Sequence, residues 1–286
     1  MKDPGSVAFG LALAGTLAIA FFRGQGVASI GSTSLVSRST DGSQSVCTSP
    51  YCNVNPAISP SGRYVVFESW ASNMIPNDVN GGPDVFLRDL QTSTSEHVSI
   101  NSSGVQGNNW SRCPCAMSAD GRYAVFESKS SNLAAGDSDT EFDVYIRDRQ
   151  TGSTEWVSAH GPGGGGLLGN IASSCPCAMS SDGRYVSFVS WIAFVPDDTN
   201  GVPDLYLRDR QTGGMERLNV DSNENQGNHT QCIPVGNPAM SFDARYVTFY
   251  STASNLAPGD TINECDSNFD LGGRVIPIRG QRIKDT

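Results

Sequence analysis

Residues 116–128, "AMSADGRYAVFES", decide the fold because the chain says them again. "AISPSGRYVVFES" (57–69), "AMSSDGRYVSFVS" (178–190) and "AMSFDARYVTFYS" (239–251) are the same motif, and its arginine falls at Arg63, Arg122, Arg184 and Arg245, a period of about 60 residues. Within each copy a short apolar run meets the second half across an S-G, D-G or D-A step, three of the four being tight-hairpin signals. Val65 and Phe67 alternate with Tyr64, Val66 and Glu68, so this strand has material to bury on both faces. A loop follows, and then a second repeated motif: "DVFLRDLQTSTSEHVSI" (84–100), "DVYIRDRQTGSTEWVSA" (143–159) and "DLYLRDRQTGGMERLNV" (204–220). It reads as two more strands joined through a turn, with Gly152 and Gly213 supplying the bend in the later copies.

Four antiparallel strands per unit, repeated along the chain, are the signature of a β-propeller blade. No helical period supports a solenoid of helices, and a β-sandwich would not repeat its own sequence. The expected fold is all-β, a β-propeller of four-stranded antiparallel blades that is incomplete, with three full blades and part of a fourth. The expected segments are 1–28, a signal peptide or N-terminal anchor; 29–54, a lead-in; 55–266, the repeats, divided at about 55–112, 113–174, 175–236 and 237–266; and 267–286, an atypical or truncated tail. That tail, "SNFDLGGRVIPIRGQRIKDT", lacks the second motif and offers no recognisable pairing partner for the fourth unit. An unclosed ring leaves edge strands bare, which points to truncation or to closure with another copy.

"SPSGRYVVFES", "SADGRYAVFES" and "DVYIRDRQTG" resemble the TolB-like propeller repeats of exported bacterial proteins, a WD-repeat-like group, over about residues 55–266. The resemblance implies a propeller that binds or scaffolds outside the cytoplasm. It brings no shared catalytic residues that could be placed on this sequence.

The N-terminus agrees with export. Lys2 precedes an apolar run from Val7 to Phe22, which ends at Arg23 and is followed by small residues around Gly26 and Ala28. This is the layout of a secretory signal, and the run is short for a membrane span; an uncleaved N-terminal anchor is the alternative. The expected location is therefore secreted or periplasmic. Eight cysteines in an exported chain imply disulfides, and "RCPCAMS" and "SCPCAMS" lack the C-x-x-C pairs of a zinc site. With 19 basic against 29 acidic residues the net charge is −10, which excludes a nucleic-acid partner that needs clustered Lys and Arg.

Between the two motifs lie oxygen-rich loops at one spacing. "NDVNGGPDVFLRD" contributes Asp78, Asn80 and Asp84; "GDSDTEFDVYIRD" contributes Asp137, Asp139 and Asp143; "DDTNGVPDLYLRD" contributes Asp198, Asn200 and Asp204. Calcium takes six to eight oxygens from carboxylates, carbonyls and water, and this spacing resembles the start of an EF-hand loop. The same residues also form turns and cap strand entries without any ion, so a calcium site and a recurring turn both fit. Asp89, Asp148 and Asp209 stand where an EF-hand has its last acid. Here a strand intervenes and carries them roughly 17 Å away at ~3.3 Å per residue, so they read as turn residues bonded to the backbone of the next few residues. In the fourth copy Asp260 and Asp266 flank Ile262 in place of the middle ligand, which predicts no strong site there.

No G-x-S-x-G elbow occurs, and none of His97, His160 and His229 recurs between copies. His97 aligns with Trp156, which points to packing. The glycine run in "HGPGGGGLLGN" (160–170) lacks the strand–loop–helix order and Lys of a phosphate cradle. The acids follow the repeat, whereas an active site is asymmetric. The expected function is a non-enzymatic binding scaffold for a protein or glycan ligand, calcium-stabilised if the loops hold an ion. The alternative is a secreted polysaccharide lyase or glycoside hydrolase. Trp70, Trp110, Trp156 and Trp191 would favour a glycan if they were exposed on one rim.

Overall fold

The computed structural model describes residues 33–47, 52–159, 177–228, 235–258 and 273–277. Its strands are β1 (Asn53–Ile58), β2 (Tyr64–Ser69), β3 (Asp84–Asp89), β4 (Thr94–His97), β5 (Ser111–Met117), β6 (Tyr123–Ser128), β7 (Asp143–Asp148), β8 (Ser153–Trp156), β9 (Cys177–Met179), β10 (Tyr185–Ser190), β11 (Asp204–Asp209), β12 (Gly214–Arg217), β13 (Val235–Met240), β14 (Tyr246–Ser251) and β15 (Gly273–Pro277). They form four antiparallel meanders in chain order: β1–β4, β5–β8, β9–β12 and β13–β15. No described residue is helical, and so no helix among them is long and apolar enough to cross a membrane. The expected blades are present and the sheets do not close into a ring.

Register repeats with the sequence. Tyr64 faces Asp89, Tyr123 faces Asp148 and Tyr185 faces Asp209 across the two central strands. The first strands of the first, second and fourth sheets bulge where their Pro56, Pro114 and Pro238 fall, as a residue without a backbone donor requires. The tail corrects the sequence reading. β15, "GRVIP", pairs with β14 from Tyr246↔Pro277 to Tyr250↔Gly273, filling the third-strand place without the second motif.

Sheets stack face to face. Val66, Val85 and Leu87 of the first sheet share a core with Phe126 and Tyr145 of the second. Val125, Val144 and Ile146 meet Val186, Phe188 and Leu205 of the third, whose core continues to Val247 and Phe249 of the fourth. β2, β6 and β10 are buried along five of six positions, which is the two-sided burial read from their sequence. β14 is buried only at alternate positions and leaves Tyr246 exposed, so one face packs on the third sheet and the other meets solvent. On the far side of the first sheet, Val36 and Cys52 pack with Val65, Phe67 and Phe86, next to a Cys47–Cys52 disulfide.

The lead-in has structure of its own. A bridge between Arg38 and Gln44 matches those between Ile100 and Gln106 and between Val220 and Gln226. The turn bonds match too: Gly42 N–H to Ser39 O at 3.0 Å, Gly104 to Asn101 at 2.9 Å, and Glu224 to Asp221 at 3.0 Å. Residues 36–45 are thus another copy of the turn that links one sheet to the next.

Two polar devices hold this stack. Within a blade, Arg63 donates to Asp89 through Nε (3.0 Å) and Nη2 (2.6 Å), Arg122 to Asp148 (2.9 and 2.6 Å), and Arg184 to Asp209 (2.9 and 2.7 Å). These are bidentate pairs. The same carboxylates accept from backbone N–H groups of the turn, as Asp89 does from Gln91 at 2.8 Å, which is the turn role expected from the sequence. Between blades, Arg149 of the second sheet pairs with Glu96 of the first, and Arg210 of the third with Glu155 of the second at 2.8 Å. The same guanidiniums lie 4.6 and 4.7 Å from the ring centroids of Tyr64 and Tyr123 in the preceding blade. Each tyrosine also carries its own neighbour, Arg63 or Arg122, at 4.7 Å.

Candidate functional site

The acidic loops join the second and third strands of each full blade. Their last acid opens the third strand: Asp84, Asp143 and Asp204 are at most 1% exposed. A polar side chain from the inter-blade turn fixes each one. Ser99 Oγ donates to Asp84 Oδ1 at 3.0 Å and Ser158 Oγ to Asp143 Oδ1 at 2.7 Å, while Asn219 Nδ2 donates to Asp204 Oδ1. The same side chains accept the next backbone N–H, from Val85 (3.0 Å), Val144 (3.0 Å) and Leu205 (2.9 Å). These acids lock the strand entry, and what faces their second oxygen distinguishes the blades.

In the first blade, donors fill the space between the acids. Gln106 Nε2 lies 2.8 Å from Asp78 Oδ1 and 2.7 Å from Asp84 Oδ2. Asn80 Nδ2 donates to Asp84 Oδ1 at 3.2 Å, and His97 Nε2 is 3.3 Å from the same oxygen. In the third blade the filler is a cation. Arg217, 3% exposed in its side chain, places Nη1 3.8 Å from Asp198 Oδ1 and 3.9 Å from Asp204 Oδ2, and its Nη2 reaches Asp197 at 2.9 Å. Gln226 accepts from Arg217 at 2.9 Å. Tyr206 donates its hydroxyl to Asp198 Oδ2, and burial raises the pKa of both groups.

Among the described residues, the second blade sets no amide, imidazole or guanidinium beside its acids in the place of Gln106, His97 or Arg217. One carboxylate oxygen from each of Asp137, Asp139 and Asp143 lies within 4.8 Å of the others. Tyr145 donates to Asp137 Oδ2, and the N–H groups of Asp139 and Glu141 turn back to Asp137 (3.3 Å) and Asp139 (2.9 Å). Asp143 Oδ2 is buried with no hydrogen-bond partner among the described residues. Burial drives the Asp143 carboxyl up to about 7 and raises Asp137 as well. Burial likewise lifts the Tyr145 hydroxyl.

His97, Trp156 and Arg217 stand at one register position, opposite Phe86, Tyr145 and Tyr206. The sequence reading set His97 aside as a packing residue. It does stack on Phe86, with centroids 5.1 Å apart, but its Nε2 also enters the acidic cluster. The available signal lies in the second copy, where Asp139 replaces the asparagine of Asn80 and Asn200 and Trp156 replaces the polar His97 and Arg217. Asp260, Ile262 and Asp266, His160, His229, the glycine run and the N-terminal signal fall outside the described residues.

The tryptophans divide. Trp156 is buried, whereas Trp110 and Trp191 are 45% and 39% exposed. Trp110 packs edge-on to Trp70 at 5.3 Å, and its ring leaves no room for a Cβ on Gly82, which would sit 2.1 Å from Cδ1. Trp70 and Trp191 follow the second strand of their blades, at the end that carries the acidic loops.

No protein-family model and no curated protein matches this chain. Among solved structures it is similar to TolB from Acinetobacter baumannii, at 17% identity over 78% of this chain and 46% of that one, with a TM-score of 0.41. A manganese complex of oligogalacturonate lyase shares 15% identity over 93% of this chain and 59% of that one (TM-score 0.43). A puromycin-hydrolyzing peptidase from Mycobacterium tuberculosis shares 17% over 75% and 27% (TM-score 0.42). The chain thus spans about half the length of the first two. Likeness at this level carries no argument about what this chain binds or catalyses.

Proposed function

We propose that this protein is a non-enzymatic, extracytoplasmic propeller that binds a neutral glycan on the rim formed by its acidic-loop ends. Trp110 carries the reading: a half-exposed indole held close against Gly82 and braced by Trp70, two residues after the exposed Asn108, whose amide bonds Ser131. Such an amphipathic plate, rigid and flanked by neutral hydrogen-bonding groups, suits the apolar face and hydroxyls of a sugar ring. The net charge of −10 disfavours a polyanionic glycan. The polar groups that could do chemistry follow the repeat and are used by the architecture: Asp89, Asp148 and Asp209 by arginine clamps, and Asp84, Asp143 and Asp204 by burial at strand entries. The Cys47–Cys52 disulfide and a second one at Cys177 support an oxidising compartment.

The test is a glycan array probed with the full chain and with Trp110→Ala, together with an assay for newly released sugar ends. Retention on neutral glycans that Trp110→Ala abolishes, with unchanged circular dichroism and no product, supports the proposal. Product release would move the reading to the lyase or hydrolase alternative. Absence of any glycan retention, alongside binding of a peptide library, would replace it with a protein-binding scaffold.

A further inference from the structure

The three loops share a framework and differ in what neutralises it. In the first blade the Gln106 amide bridges the two outer acids. In the third the Arg217 guanidinium occupies that place. In the second blade Ser158 and Tyr145 donate as Ser99 and Tyr206 do in its siblings, but the middle amide is replaced by Asp139, and Trp156 stands where His97 and Arg217 stand. Trp156 gives its N–H to Ser158 at 3.1 Å and also toward the Asp143 carboxyl. In the following segment Leu168 precedes the Gly-Asn step that Gln106 and Gln226 precede in the other copies. Among the described residues the outcome is three carboxylates in one cluster and a buried Asp143 Oδ2 with no hydrogen-bond donor. Of its counterparts, Asp84 Oδ2 accepts from the bridging amide at 2.7 Å, and Asp204 Oδ2 has the guanidinium 3.9 Å away, an ion-pair distance rather than a hydrogen bond.

We infer that the second blade alone holds a calcium ion, through Asp137, Asp139 and Asp143, in the place filled by Gln106 in the first blade and Arg217 in the third. A clustered set of carboxylates left unneutralised at a buried position repels itself. An ion at 2.3–2.6 Å from each ligand oxygen accommodates oxygens up to about 5 Å apart, and the observed limit is 4.8 Å. The donor set is all oxygen, which selects a hard cation and disfavours zinc. Backbone carbonyls and water would complete the shell. This inference is independent of what the rim binds.

Calorimetric titration of the full, chelator-stripped chain with calcium chloride tests it. The expected result is one ion per chain. Asp139→Asn installs the residue of the sibling loops and is expected to weaken binding at least about tenfold, since ligand charge sets affinity in such sites. Asp198→Asn in the third blade is expected to leave it unchanged. Because Asp139 is half-buried and, among the described residues, its side chain accepts one hydrogen bond, from the Glu141 N–H, D139N should fold and, relieved of one like charge, melt no lower than the wild type in the absence of calcium. No binding, three ions per chain, or undiminished affinity in D139N would each overturn the inference.

Discussion

Gly121→Ala is expected to loosen the joint between the first and second blades, and Gly62→Ala is its built-in control. Both glycines sit at the same turn of the repeat with nearly equal backbone angles, φ +73° and +72°. Adding a methyl group in this left-handed region costs about 1–2 kcal/mol at either position. The surroundings differ. A Cβ on Gly62 meets nothing within 4 Å, whereas one on Gly121 would lie 2.1 Å from Cδ2 of Tyr64. The Tyr64 ring is held under two guanidiniums, Arg63 at 4.7 Å and Arg149 at 4.6 Å, so overpacking adds about 1–3 kcal/mol. Ala244 already occupies the equivalent position in the fourth blade at φ +56°. There, among the described residues, the preceding Tyr185 carries only its own Arg184, at 4.8 Å, with no second guanidinium over the ring. The ring's freedom to yield therefore sets the cost. Thermal melts followed by tryptophan fluorescence should show a fall of about 2–8 °C for G62A and a larger one, about 4–20 °C, for G121A, at roughly 2–4 °C per kcal/mol. Removing Arg149 as well should make the two effects less than additive. Equal losses for G62A and G121A would refute the reasoning.

Two further outcomes follow from the polar devices. The hydrogen-bonded pairing with Arg63, Arg122 and Arg184 holds Asp89, Asp148 and Asp209 below the ordinary carboxylate range. Because the folded pKa is depressed, the stabilisation is present above the unfolded value near 4 and is lost progressively below it, disappearing as pH falls through the lower folded value; D148N should show a shallower loss of Tm below about pH 4, and an acid limb that overlays the wild type would count against the clamp. The Glu96–Arg149 pair is 44% exposed on its acid side, so a double-mutant cycle should give a coupling below about 1 kcal/mol that shrinks in high salt; a larger, salt-insensitive value would mean that the pair is effectively desolvated.

The strands and their two-sided burial were legible because four near-identical stretches share one hydrophobic pattern, and a pattern that repeats is a strong constraint on packing. The third strand of the fourth sheet was not, since "GRVIP" resembles none of its counterparts and shows itself only in its pairing with β14. The loop acids were visible as a set, and their offsets pointed to convergence. What the offsets could not convey is which donor stands between them, because Gln106, His97 and Arg217 come from the far side of the blade. Arg149 and Arg210 read as turn residues; only the stacking of one sheet on the next shows them reaching back to Tyr64 and Tyr123.

That backward reach bears on how such a chain can lengthen. The joints between the first and second and between the second and third blades are each split across a boundary: the older unit offers a glutamate and a tyrosine, and the newer one brings an arginine and a glycine to meet them. A duplicate of the second unit carries both halves, Arg149 and Gly121 on one side and Glu155 and Tyr123 on the other, so it can greet its predecessor and be greeted by its successor with no new contact to invent. Tandem copying of this unit is therefore compatible with folding from the first generation, and later substitutions, such as those that set the three acidic loops apart, can accumulate on an array that already holds together.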